Sequence, residues 1–475
     1  MDAFFFGPGA FAGMRPPERR AVLIVKDAGC SQQFRKFIYQ SLLFRSFFSM
    51  KETVLDVIVI GAGFAGLSAS YHLKKYGLSH LVFERGKIGE SWRSQRWDTF
   101  RLNSTNRLNV LPGMICDEEI AELFPAASAF VSSMEQYVSG CQLPVRENSK
   151  VISIKKSGEF FGVEVISNNL IDRYYCRQVV IASGAANEIK TPSFSKNISR
   201  EIKQLHTSEF RNAGELPPGA VLVAGGAQSG VQIAADLLAG GRKVWLSTSK
   251  VARIPRWYRG KDIFYWLIDT KIYDTRAEEI TDPIMLESRN PQVSGTGSGR
   301  DTVSFQLLAK KGAIILGKMD SADEQNVFFQ PDAAMHVKFA DGYSQKIKEI
   351  IDDFIIENEL ISPAPHYDEA DMPDTEAACA SSITSLNLRE NNISSIIWTT
   401  GFNSDLSYIK LPVFDDNGKL IHHDGITAVP GLYFIGYPWQ RSRKSTILFG
   451  ILEDAAFVTD KVYCDSKKIS HQPQF

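Results

Sequence analysis

The sequence predicts an α/β fold in which two βαβ units share one chain, the second inserted into the first. Three observations predict it. A strand–glycine turn–helix–strand pattern starts near Thr53, and a second copy starts at Ala220. Alternating strand segments lie between the copies, and a strand-rich stretch follows Ser394.

The elements follow in order. Val54 to Ile60 is a β-branched and apolar run interrupted only by Asp56, the composition of a strand buried on both faces. Phe64 to Lys75 has helical spacing, with Leu67, Tyr71 and Leu73 apolar and Lys74 and Lys75 polar. Gly77 ends that helix in the left-handed position, and Leu81 to Phe83 is the next strand. In the second copy, Ala220 to Ala224 is a strand and Gly225 to Gly230 a turn. Val231 to Leu238 is then a helix closed by Gly240 and Gly241, and Val244 to Leu246 a strand. Gly162 to Ile166 and Tyr174 to Ile181 read as strands of a small antiparallel meander.

Pro217-Pro218-Gly219 marks a junction. Residues 251–380, with a Ser/Gly-rich run from Ser294 to Gly299, belong to the second unit. Ser394 to Lys461 reads strand, turn, strand, helix, and its strands are expected to rejoin the first unit. The division is then 50–216 plus 386–465 for the first unit, 217–385 for the second, and 466–475 as a tail. Residues 1–49, basic through Arg15, Arg19, Arg20 and Lys26, read as an extension upstream of a start at Met50. An organelle-targeting leader is the alternative.

Composition narrows the function classes. The chain has 475 residues, 44% hydrophobic and 23% charged, with 53 basic against 54 acidic side chains. That balance gives no reason to expect a nucleic-acid or membrane-surface partner and favours a small-molecule one. The six cysteines show no C-x-x-C pair, so they read as thiols of a reducing compartment, the cytoplasm, and not as a disulfide scaffold. No metal site is expected, because no His/Cys cluster has ligand spacing. No apolar run reaches the roughly 18–20 residues that span a bilayer.

The turns carry the chemistry. In Gly61-Ala62-Gly63-Phe64-Ala65-Gly66, Gly61 permits a tight turn, Gly63 lets the backbone approach a pyrophosphate, and Gly66 lets helix and strand pack closely. The phosphates would sit on free N–H groups at the positive end of the helix dipole. Glu84, ending the next strand, is placed to accept from both ribose hydroxyls of an adenosine. The second turn, Gly225-Gly226-Ala227-Gln228-Ser229-Gly230, has alanine in the middle position. Near Ser247, where the acid would stand, the sequence offers Ser249, Lys250 and Arg253 instead, a set that favours the 2′-phosphate of NADP.

Two Rossmann-like units with a meander between them resemble the two-dinucleotide-binding flavoproteins. Glu84-Arg85, Ser91-Trp92-Arg93 and Arg96-Trp97-Asp98 resemble the flavin-containing monooxygenases. Asp98 to Pro112 aligns without gaps on the plant indole-3-pyruvate (YUCCA-type) enzymes. Val180 to Gly184, Trp398 to Gly401 and Gly431 to Gly436 resemble further motifs of the superfamily, and Tyr437 stands where its disulfide reductases carry Asp. The F-x-G-x-x-x-H-x-x-x-F signature of the flavin-containing monooxygenases survives only as His206 to Phe210, with Arg200 and Ile202 in place of Phe and Gly.

The resemblance implies an FAD domain, an inserted NADPH domain and a flavin monooxygenase acting on a small organic substrate and O₂ through a flavin hydroperoxide. It adds Leu102, Gly184, Gly401 and Gly436 to the cofactor contacts, with Arg256 at the nicotinamide half. It places Asn103 at the reacting flavin and His206 as a proton donor or nicotinamide contact. A reductase or oxidase without oxygenation, and an idle regulatory flavoprotein, stay open. So does a homodimer.

Overall fold

The computed structural model of the chain describes residues 54–280, 290–293 and 301–470. The N-terminal 49 residues and the Ser294–Gly299 run lie outside them. The strand-forming run becomes β1 (Leu55–Ile60), and the helical pattern becomes α1 (Phe64–Lys75), closed by Gly77 at φ 72°. Next come β2 (His80–Phe83), β3 (Val145–Arg146), β4 (Ser149–Ser157), β5 (Phe160–Ser167) and β6 (Leu170–Ile181).

The second unit starts with β7 (Lys203–His206) and β8 (Ala220–Ala224), then α2 (Gln228–Ala239) and β9 (Val244–Ser247). It continues with β10 (Ile314–Leu316), α3 (Ala333–Glu357) and β11 (Ile393–Trp398). Then β12 (Leu432–Phe434) and α4 (Leu448–Ser470) complete the first unit.

Two sheets organise these strands. The first runs β3-β2-β1-β6-β5-β4, with β12 also on β6, and the second runs β10-β9-β8-β11-β7. In the second sheet every pair is parallel. The meander is not a separate body. β6 pairs antiparallel with β5, while its end from Val179 to Ile181 is flanked by parallel β1 and β12. Those three residues are fully buried, as a strand covered on both faces requires.

One expectation is corrected. The strand after Ser394 does not rejoin the first sheet. As β11 it pairs with β8 and β7 in the second, because Ile396 and Ile397 face two separate apolar clusters there. β7, expected in the first unit, is the edge strand beside it. Only β12 returns to the first sheet. Its neighbour α4 packs with α1 over one face, where Val57, Val59, Leu67, Leu73, Val458 and Val462 form a common core. Among the described residues no helix is long and apolar enough to cross a membrane, and no group of His, Cys, Asp and Glu could hold a metal ion.

Candidate functional site: two glycine turns and the seam between them

The first turn sits at the carboxyl end of β1, and its three glycines do three different jobs. Gly61 has φ 104°, and a Cβ there would lie 2.5 Å from the Ala182 carbonyl oxygen. A Cβ on Gly66 would lie 1.8 Å from the Gly61 oxygen, so any side chain would push α1 off β1. A Cβ on Gly63 would meet nothing within 4 Å, so here the backbone borders open space. Ala62 N–H donates to Glu84 Oε2 and Gly86 N–H to Oε1, both at 2.9 Å. Burial pushes the Glu84 carboxyl up, while these N–H groups hold it down. Each oxygen keeps a second lone pair for a hydroxyl donor.

A cleft of about 340 Å³ opens here. Of the expected contacts, Gly61, Gly63, Phe64, Ala65, Glu84, Arg85, Trp92, Gly184 and Gly436 line it. Arg93 does not, because its guanidinium pairs with Glu135 at 2.6 Å. Leu102 is buried, its N–H donating to the Pro125 carbonyl at 2.9 Å. Sequence reasoning missed Ser183, Tyr408, Lys150 and Ile451, which reach the wall from four separate segments. The Ser183 and Tyr408 hydroxyls are 2.9 Å apart across the chain. A glycine-lined cradle, free N–H groups at a helix start and a ribose-side carboxylate together fit the adenosine and pyrophosphate of a dinucleotide.

The second turn repeats the tight parts. Gly225 has φ 126° with the Thr399 carbonyl oxygen 2.8 Å from its would-be Cβ, and at Gly230 the Gly225 oxygen lies at 1.9 Å. Gln228 Oε1 accepts from Val293 N–H at 2.7 Å, and Ser229 is half-buried in the first turn of α2. β8–β9 register pairs Ala224 with Ser247 as Ile60 pairs with Phe83, so Thr248 holds the place of Glu84. Its hydroxyl bonds the Leu316 carbonyl at 2.7 Å and His336 Nδ1 at 2.9 Å. Ser249 Oγ is buried without a partner, and Lys250 is exposed beside it. That orphaned hydroxyl and adjacent cation fit a phosphate.

Arg253 is a correction. It is 1% exposed and pairs with Asp341 at 2.5 Å and with Asp371, so its charge is already matched inside the fold. A buried guanidinium needs such partners, which leaves it no phosphate role. Arg256 differs from expectation in a similar way. It is fully buried, pairs with Asp262, and lies 4.3 Å from the Phe124 ring. Its Nη1 donates to the Asn103 carbonyl at 2.6 Å, so it ties the two units together. Asn103 Oδ1 in turn accepts from Gln232 Nε2 of α2 at 3.2 Å. Asn103 therefore sits in the seam between the units, outside the lining of the first cleft.

His206 ends β7 and is also internally engaged. Its Nε2 lies 2.9 Å from the Gly401 carbonyl and must donate, leaving Nδ1 to accept from Ser208 Oγ at 2.9 Å. Burial lowers its pKa, and Phe402 covers the ring edge-on at 4.8 Å. The neutral ring holds Gly401, at φ 84°, in the crossover between the sheets. Among the described residues no cysteine lines the first cleft.

Comparison with known proteins agrees with this architecture. A family model described as pyridine nucleotide-disulphide oxidoreductase matches residues 58–268. The oxidoreductase CzcO of Bacillus velezensis is 30% identical over 411 residues, spanning 86% of this chain and 99% of that protein. The indole-3-pyruvate monooxygenase YUCCA1 of Oryza sativa is 23% identical over 425 residues, spanning 86% of this chain and 92% of its own. A flavin-containing monooxygenase from Stenotrophomonas maltophilia shares the fold at TM-score 0.56 and 19% identity, over 86% of this chain and 99% of that one. The chain belongs to the CzcO family of oxidoreductases, within the flavoproteins of two dinucleotide-binding folds that resemble flavin-containing monooxygenases.

Proposed function

We propose that the chain is an FAD- and NADPH-dependent monooxygenase that oxygenates a small organic molecule with O₂. The observation that carries this reading is the pair of glycine turns, each at the end of a central parallel strand, on two sheets joined through one seam. In the first cleft, Gly63 and the start of α1 receive the FAD pyrophosphate, and Glu84 accepts from the adenosine ribose. At the second turn, the start of α2 receives the NADPH pyrophosphate, with Ser249 and Lys250 on the 2′-phosphate. The flavin, when bound, supplies electron transfer and oxygen activation. The protein orients both cofactors, and the seam at Asn103, Gln232 and Arg256 keeps their halves in register. Oxygenation is supported over disulfide reduction by a first cleft that none of the described cysteines lines.

A second reading, an NADPH-linked reductase or oxidase, is favoured by His206, whose ring nitrogens are both engaged within the protein. One experiment separates the two. Enzyme, NADPH and candidate substrates are incubated under ¹⁸O₂, and label is followed by mass spectrometry. One labelled oxygen in an organic product supports the monooxygenase. Label confined to H₂O₂ and water supports the second reading.

A further inference from the structure

The two turns solve the same local problem with different parts. In the first turn the peptide following Ala62 is fixed through its carbonyl, which accepts from Gly89 N–H at 3.1 Å. A trans peptide points its C=O and N–H in opposite directions, so this bond aims the Gly63 N–H away from Gly89. Gly63 is the residue bordering open space.

In the second turn the matching carbonyl belongs to Gly226, and it accepts from the side-chain amide of Gln292. Gln292 is fully buried and is set by its own backbone. Its N–H donates to the Ala252 carbonyl at 2.8 Å, and its carbonyl accepts from Ile254 N–H at 3.0 Å. The next residue, Val293, donates to Gln228 Oε1 at 2.7 Å. Residues 292 and 293 therefore hold both the turn and the first helical residue after it. Gln292 Oε1 is buried and has no partner, so the side chain gives up one hydrogen bond while making the one to Gly226.

The lock has a local reason. Ala62 has a Cβ that restricts its backbone, whereas Gly226 does not, and an unrestrained glycine samples many peptide orientations. We propose that Gln292 is a positioning residue of the second dinucleotide site. By fixing the Gly226 carbonyl it aims the Ala227 N–H at the pyrophosphate of NADP(H). The assignment rests on the second turn being the NADPH site.

The test uses the full-length, FAD-loaded chain. Binding of NADP⁺ is measured by isothermal titration calorimetry for wild type, Gln292→Met and Gln292→Glu. Met keeps the volume and removes the donor, and Glu keeps the shape and turns an acceptor toward the carbonyl. The dissociation constant for NADP⁺ is expected to rise roughly tenfold in Met, the scale of one lost hydrogen bond, and further in Glu. FAD content should match wild type, while the unfolding temperature should fall modestly in Met and further in Glu, as the loss of one buried hydrogen bond and the burial of a carboxyl require. In steady state the KM for NADPH should rise more than kcat falls, which a loss of packing alone would not produce. Should one variant fail to load FAD, the other decides. Unchanged NADP⁺ affinity in a variant that loads FAD overturns the inference alone. A wild-type chain that binds FAD but no NADP⁺ overturns the reading beneath it and the inference together.

Discussion

The Arg256 guanidinium donates to the Asn103 main-chain carbonyl at 2.6 Å, joining the second unit to the loop that follows the first glycine-turn unit. The contact is buried, and the same guanidinium carries Asp262 as its counter-ion. Burial pushes the Asp262 carboxyl up and Arg256 opposes the shift, so each charge depends on the other. The seam is held by a charge pair with little water to replace a lost partner.

Arg256→Met should therefore cost about 3–5 kcal/mol, because it strands the Asp262 carboxylate. Urea unfolding measures this. Adding Asp262→Leu should recover part of the loss, since removing both charges costs less than leaving one. Strictly additive losses would show that the pair does not act as a unit.

The glycines of the first turn should separate folding from flavin binding. Gly63→Val puts its side chain into open space, so the apoprotein should keep its unfolding temperature and lose flavin. Gly66→Ala puts a methyl 1.8 Å from the Gly61 oxygen, so the fold itself should weaken. The ratio of flavin to protein absorbance, with thermal unfolding of both apoproteins, reads the contrast.

Lys250 and Arg253 should part company in the same way. Lys250→Ala should weaken NADP⁺ binding several-fold and leave NAD⁺ binding and stability nearly unchanged. Arg253→Ala should destabilise the chain by several kcal/mol, because Asp341 would lose its guanidinium partner and Asp371 would keep only Lys348. Calorimetry with both nucleotides, plus urea melts, distinguishes them. Equal behaviour of the two variants would contradict the assignment.

Asp454 on α4 gives a pH signature. Burial pushes its carboxyl up to about 6 from 3.8, with Ser445 and Arg441 opposing, and its Oδ2 has no partner. The folded state thus holds the proton more tightly than the unfolded state. Its contribution is fully present below about 4 and disappears as pH rises through about 6. Wild type should lose stability relative to Asp454→Asn across that window, by on the order of 3 kcal/mol. Parallel urea melts of the two proteins between those limits test it.

The order of these elements was largely legible in the sequence because β1, α1, β8 and α2 carry local signals: β-branched runs, helical spacing and glycines where the backbone needs them. Glu84 was legible from its place one residue past a strand. The allegiance of β11 was not, because parallel pairing leaves no local mark on the strand that joins. Arg253 misled for a related reason. Its partners lie 88 and 118 residues away, so in sequence it looked like an unmatched charge near a phosphate site. Ser183 and Tyr408 meet across 225 residues, a distance that no motif spans. The seam at Asn103 depended likewise on the packing of two units, which spacing within one unit cannot express.

The most direct measurement is an anaerobic titration of the purified, FAD-reconstituted chain with NADPH and, separately, NADH, followed by flavin absorbance. The two-site account predicts a stoichiometric yellow protein bleached by NADPH at lower concentrations than by NADH. A protein that remains colourless after reconstitution, or whose colour neither nucleotide discharges, would contradict it.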